Sequence, residues 1–280
     1  MNVIRIASLT DEALTPYARL TEAQLLNRLH PERGMFICES MKVIRIALSR
    51  GVEPVSFLCE EKFLPQVPDC GVPVYTAERE VLRQLTGYEL SRGVLACMHR
   101  PQRPSVSEVL SSSLLGDGLI DYAEGGRTTR RVAVIDGVVN SENTGAIFRA
   151  AASLGIDAVL LTRTCCDPLN RRACRVSMGT VFQLPWTWLD HYGQLKDSGF
   201  KTVALALTDR SVPIDDAVLK GIEKVAVVLG TEGDGLSDSV LQQCDYVARI
   251  PMQRGVDSLN VAAAAAVAFW ELGRPHAGRE

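Results

Sequence analysis

No stretch of this 280-residue chain approaches the roughly 18 apolar residues that a membrane span requires. The opening Met1-Asn2-Val3-Ile4-Arg5-Ile6 is too short and too mixed for a secretory signal, so a cytoplasmic location is expected. The eight cysteines form no CxxC pair, which argues against a zinc site or a disulfide scaffold. Several of them, including Cys38, Cys59, Cys97 and Cys174, have apolar neighbours instead, and no metal is expected. Positive charge is not in excess either. Lys and Arg number 30 against 33 Asp and Glu, a net charge of −3 that excludes a generic basic coat for nucleic acid. Two familiar glycine motifs are missing, the GxGxxG of dinucleotide sites and the phosphate loop that ends in Lys-Ser/Thr. What is present is ordinary for a globular protein: 46% hydrophobic and 22% charged residues.

The apolar pattern divides the chain. Residues 1–105 read as a small α/β unit. Helical spacing is expected over Tyr17–Leu29 and Ser40–Ser49, and strands at 34–38, 55–59, 72–75 and 93–97. Residues 106–130 carry prolines upstream, then a serine run and four glycines, and read as a linker. From Arg131 to the end, strands alternate with helices. Strands are expected near 132–135, 158–161, 202–207, 225–229 and 246–250, with a final alanine-rich helix over Asn260–Leu272. That alternation predicts a mostly parallel sheet covered on both faces, with ligands in the loops beyond the strands' carboxyl ends.

Three of those loops are unusual. The first, Asn140 to Arg149, opens a helix and contains Asn143, Gly145 and Arg149. The second, Leu229-Gly230-Thr231-Glu232-Gly233-Asp234-Gly235-Leu236, packs three glycines behind a buried strand. Its Glu232 and Asp234 would repel phosphate and suit a cationic or hydroxyl-bearing ligand. The third runs from Ile250-Pro251-Met252 to Ser258-Leu259-Asn260 at the start of the last helix. Each alone is also compatible with plain cap and turn chemistry. Arginines cluster too, with Arg163, Arg171, Arg172 and Arg175 close in sequence and Arg127, Arg130 and Arg131 as a second group. The planar guanidinium grips phosphate and stacks on bases.

In this order the three loops resemble the signature motifs of the SpoU/TrmH family of RNA ribose 2′-O-methyltransferases, of the SPOUT class. The residues that carry the likeness are Asn143, Gly145, Arg149 and Ala151; Leu229 to Leu236; and Ile250 to Met252 with Ser258 to Ala264. Arg175 to Phe182 with Leu184-Pro185 also resembles a family segment, and the N-terminal part resembles an accessory RNA-binding domain at 34–46 and 92–96. The resemblance implies an α/β fold: a C-terminal parallel-sheet domain (131–280) with a deep trefoil knot, preceded by a smaller N-terminal RNA-binding domain. It implies S-adenosylmethionine as methyl donor, bound by Thr208, Gly230, Ile250, Met252 and Leu259. It also implies a homodimer through the last helix and structured RNA as substrate, ribosomal RNA before transfer RNA. The catalytic set it implies is Arg149 with Asn143, Glu232, Ser258 and Asn260 around it, and Arg163, Arg171, Arg172 and Arg175 are expected to grip RNA. A guanidinium keeps its proton far above neutrality, so arginine is an awkward base and a better positioning group. The rival expectations are a transfer-RNA methyltransferase, a non-catalytic RNA binder on the same fold, and a nucleotide-binding enzyme acting on a small molecule.

Overall fold

The computed structural model describes the chain except residues 7, 9, 19, 28–29, 87–92, 112–129 and 274–280. Most of the expected linker, with Arg127, therefore lies outside the described residues. In chain order the elements are β1 (Asn2–Arg5), α1 (Thr15–Ala18), α2 (Glu22–Leu26), β2 (Met35–Glu39), α3 (Met41–Ser49), β3 (Pro54–Cys59), β4 (Pro73–Thr76), α4 (Arg79–Thr86) and β5 (Val94–His99). They continue with α5 (Val106–Leu110), β6 (Arg131–Ile135), α6 (Ser141–Ser153), β7 (Ala158–Thr162), α7 (Arg171–Val176), β8 (Trp186–Leu189) and α8 (Gly193–Asp197). The last are β9 (Lys201–Leu205), β10 (Val212–Pro213), α9 (Ala217–Lys220), β11 (Val225–Leu229), α10 (Asp238–Gln243), β12 (Tyr246–Arg249) and α11 (Val261–Leu272). Two compact units result: residues 1–102 with 169–182, and residues 103–168 with 183–280.

The first unit is built on a five-stranded mixed sheet of order β1-β4-β3-β5-β2. Strand β5 is an unbroken apolar run, Val94 to Met98, because it lies inside the sheet and is covered on both faces. The single helix expected over Tyr17–Leu29 is instead two short helices. Thr21 and Gln24 form a capping box, which starts α2 afresh at Glu22 and leaves Ala18 in α1. Ser40, between β2 and α3, has φ +83 although it is not glycine, and its hydroxyl makes no cap bond to α3. Side chains are strained in that region by about 1–2 kcal/mol. Ser40→Gly is therefore expected to stabilise the protein by about 1 kcal/mol after the extra chain entropy of glycine is subtracted, seen as a raised urea midpoint.

The second unit carries a seven-stranded, wholly parallel sheet of order β10-β12-β9-β11-β6-β7-β8. One face packs into a core of Val106, Val132, Val134, Leu160, Leu195, Phe200 and Val228 with neighbours from α5, α8 and α10. On the other, α11 packs along α6 and against β11. Strand β8 was not legible as a strand, because its four residues, directly after Pro185, are too short a run to show a period. At the carboxyl ends of β6, β11 and β12 stand the three unusual loops, as the strand–helix alternation predicts. Among the described residues, no helix is long and apolar enough to cross a membrane.

Candidate active site

Helix α6 begins at Ser141, one turn earlier than if Asn143 were its cap. Asn140 does the capping, its Oδ1 accepting from the backbone N–H of Glu142 (2.8 Å) and Asn143 (3.2 Å). Asn143 is thus inside the first turn, buried, with its side-chain amide turned to the neighbouring loops.

The second loop closes on itself. Thr231 N–H donates to the Gly235 carbonyl at 3.2 Å, and Thr231 Oγ1 donates to the same oxygen. A Cβ on Gly230 would lie 2.5 Å from the Gly235 carbonyl carbon and 2.7 Å from Leu236 N. Gly230 is therefore required by the loop's own backbone. Gly233 is required by its φ of +93, with open space around it.

The third loop ends at Asn260, where cap chemistry and site chemistry coincide. Its Oδ1 accepts from Ala262 N–H (3.0 Å) and Ala263 N–H (3.3 Å), capping α11. Its Nδ2 donates to Asn143 Oδ1 at 3.0 Å and to Glu232 Oε1 at 2.5 Å. One primary amide, with both hydrogens and its oxygen in use, ties together three loops drawn from positions up to 117 residues apart. With Asn143 Oδ1 occupied by Asn260, the Nδ2 of Asn143 remains as its donor.

Around this junction lies a cavity of about 700 Å³. Thr208, Gly230, Ile250, Met252 and Leu259 all line it, together with Glu232, Ser258 and Asn260. Its charged lining is mostly acidic: Glu232, Asp234, Asp238 and Asp257 against Arg249, whose guanidinium donates to the Ser211 carbonyl. Such a lining favours a ligand with positive charge. Thr208 Oγ1 is buried and has no hydrogen-bond partner among the described residues, although a buried hydroxyl ordinarily has one. At the mouth, Leu207 and Leu259 are 64% and 39% exposed, an apolar surface open to a planar group.

Arg149 stands apart from these contacts. It is exposed on α6 and makes no hydrogen bond or ion pair with the described residues. Neither Asn143, Glu232, Ser258 nor Asn260 is bonded to it. Ser258 lines the cavity, and its hydroxyl has no hydrogen bond among the described residues.

The arginine cluster belongs to two units. Arg163, in the second, pairs with Asp190 (3.3 Å) beside the Trp188 ring. Arg171 and Arg175 sit on α7 in the first, where Arg171 Nε (3.1 Å) and Arg175 Nη1 (3.4 Å) both donate to Glu39. That carboxylate is 2% exposed, and a buried charge needs such partners. The sequence alone did not single out Glu39, since its burial shows only once α7 is packed against β2, the edge strand of its sheet. Arg172 remains exposed.

Residues 130–270 match the SpoU rRNA Methylase family. An uncharacterized tRNA/rRNA methyltransferase of Mycobacterium tuberculosis is 36% identical over 251 residues, covering 86% of this chain and 82% of the relative. The 23S rRNA (guanosine-2′-O-)-methyltransferase of Acinetobacter baylyi is 30% identical over 223 residues, covering 78% and 85%. The AdoMet-bound rRNA methyltransferase of Sinorhizobium meliloti shares the fold, with a TM-score of 0.75 at 21% identity over 96% of this chain and 97% of that one. With its three motif loops joined at one amide and the match running from β6 through α11, the chain belongs to the SpoU rRNA methylase family.

Proposed function

We propose that the protein transfers a methyl group from S-adenosylmethionine to a ribose 2′-hydroxyl of ribosomal RNA. The observation that carries this is the Asn260 junction at the rim of a nucleoside-sized, acidic cavity with an unpartnered buried hydroxyl. The relative from Acinetobacter baylyi, named for 23S rRNA and a guanosine 2′-oxygen, supports the substrate and position.

The residues present fit the donor. Thr208 Oγ1 needs a polar partner, the backbone of Gly230, Ile250 and Leu259 borders the cavity, and the carboxylates suit a cation. When bound, S-adenosylmethionine supplies a methyl group on a positively charged sulfur. The protein's own part is alignment and charge. Asn260 fixes the Asn143 and Glu232 side chains relative to one another, so the acceptor meets a preformed edge. Asn143 Nδ2 and Ser258 Oγ offer hydrogen bonds to the ribose and its phosphate. Arg149, bonded to none of the described residues, presents its guanidinium to the adjacent phosphate and to the oxygen that gains negative charge as its proton passes to water. In this proposal the C-terminal segment is threaded as the trefoil knot, and Arg163, Arg172 and the N-terminal domain hold the RNA. The exposed stripe of α11, Ala263, Val267 and Trp270, meets a second copy to form a homodimer.

The test is incubation of the protein with methyl-labelled S-adenosylmethionine and ribosomal RNA, followed by alkaline hydrolysis. A methylated 2′-oxygen protects its phosphodiester, so label is expected in alkali-resistant dinucleotides. Label in mononucleotides alone, or none at all, refutes the proposal.

A further inference from the structure

Resting on that function, we propose that Asp136, held by Tyr192, is a positioning residue that sets the start of α6 and thereby the placement of Asn143 and Arg149. Asp136 directly follows β6, and its N–H donates to the Leu229 carbonyl at 2.8 Å, one residue before Gly230. Both of its carboxylate oxygens are taken. Tyr192 O–H donates to Oδ2 at 2.7 Å, and Thr162 Oγ1 donates to Oδ1 at 3.0 Å. Thr162 Oγ1 in turn accepts from Gly137 N–H at 3.1 Å, and Cys166 N–H donates to the Val138 carbonyl at 2.9 Å. Residues 136–138 are thus tethered on one side to the end of β7 and the turn after it.

On the other side they abut the second loop. Gly137 has φ +70, and a Cβ there would lie 2.9 Å from Thr231 Cγ2. Thr231 adjoins Glu232, the partner of Asn260. Three residues beyond Gly137, Asn140 caps α6. A shift of the tethered segment would therefore carry the cap, Asn143 and Arg149 with it, against loops that stay in place.

Neither Asp136 nor Tyr192 lines the donor cavity. Burial, and the carboxylate that accepts its hydrogen bond, push the Tyr192 phenol above its ordinary range, so it remains a donor throughout the working pH range. A fully satisfied polar network of this kind specifies geometry more than it adds stability.

Tyr192→Phe removes the hydroxyl and leaves the ring in its core beside Leu189 and Leu195. The expected result is a kcat lowered roughly ten- to a hundredfold, with KM for the donor within about twofold and only a small change in Tm. Amides 141–147 are expected to exchange with deuterium faster than in the wild type. Asp136→Asn should behave alike. Val132→Ala, which cuts the same core at the start of β6, away from the pair, should lower Tm while kcat stays within about twofold. Wild-type kcat and wild-type exchange in Tyr192→Phe would overturn the proposal, as would a kcat loss that merely follows Tm in all three variants. If the wild-type protein transfers no methyl group to RNA, the proposed function falls, and exchange at 141–147 alone decides the tether: unchanged protection in Tyr192→Phe refutes it.

Discussion

Arg149→Ala is expected to lower kcat for methyl transfer by at least about 100-fold, the scale seen when one group stabilising transition-state charge is removed. Donor affinity should stay within about twofold. The separation follows from where Arg149 stands. It is exposed, bonded to none of the described residues, and absent from the cavity lining, so its loss disturbs neither the fold nor the donor site. Alanine is also the better helix former at an exposed position, so stability should hold or rise slightly. Titration calorimetry with S-adenosylhomocysteine and single-turnover transfer to ribosomal RNA give the two readouts. Arg149→Lys sharpens the test, since it keeps the charge and loses the planar fork, and partial recovery is expected. Full turnover in Arg149→Ala would remove it from the mechanism. Loss of donor binding would make it part of the pocket instead.

Gly230→Ala should have the largest effect on the pocket itself. The added Cβ would meet three backbone atoms of Gly235 and Leu236 at 2.5–2.7 Å, well inside the roughly 3.5 Å at which carbon atoms rest. Backbone cannot swing aside as a side-chain tip does, so the turn must open. The expected stability loss is about 1–3 kcal/mol, with donor affinity falling by at least about tenfold as the cavity edge moves. Urea unfolding and calorimetry measure the two. Gly233→Ala is the control: it meets no atom within 4 Å and suffers only from its φ of +93, so a cost of about 1–2 kcal/mol is expected there. Normal donor binding by Gly230→Ala would mean that the donor lies elsewhere.

The α/β alternation of the second unit was legible because its strands, buried on both faces, are unbroken apolar runs, such as Val225 to Leu229. Element ends set by local capping were less so. Apolar spacing alone suggested one helix over Tyr17–Leu29, while the Thr21–Gln24 capping box divides it. The three loops stood out by their glycines and amides, but each looked like an ordinary turn or cap until a family resemblance joined them. No spacing rule reveals that Asn260 reaches Asn143 and Glu232, since such contacts depend on how the sheet orders its strands. For the same reason Glu39 was invisible as the partner of Arg171 and Arg175. That Gly230 is also required by its own loop was invisible in the sequence, since the backbone atoms of Gly235 and Leu236 that a side chain would meet come close only in the folded turn.

Because Asn260 is at once the cap of α11 and the amide that joins Asn143 to Glu232, the three loops are fastened only once α11 has formed. A ribosome that has made the chain through Glu232 has produced two of the three loops and nothing to fasten them. Only when α11 winds up does its cap residue acquire a fixed amide for both to grasp. With α11 unwound, the Asn143 and Glu232 loops lack the fixed amide that joins them.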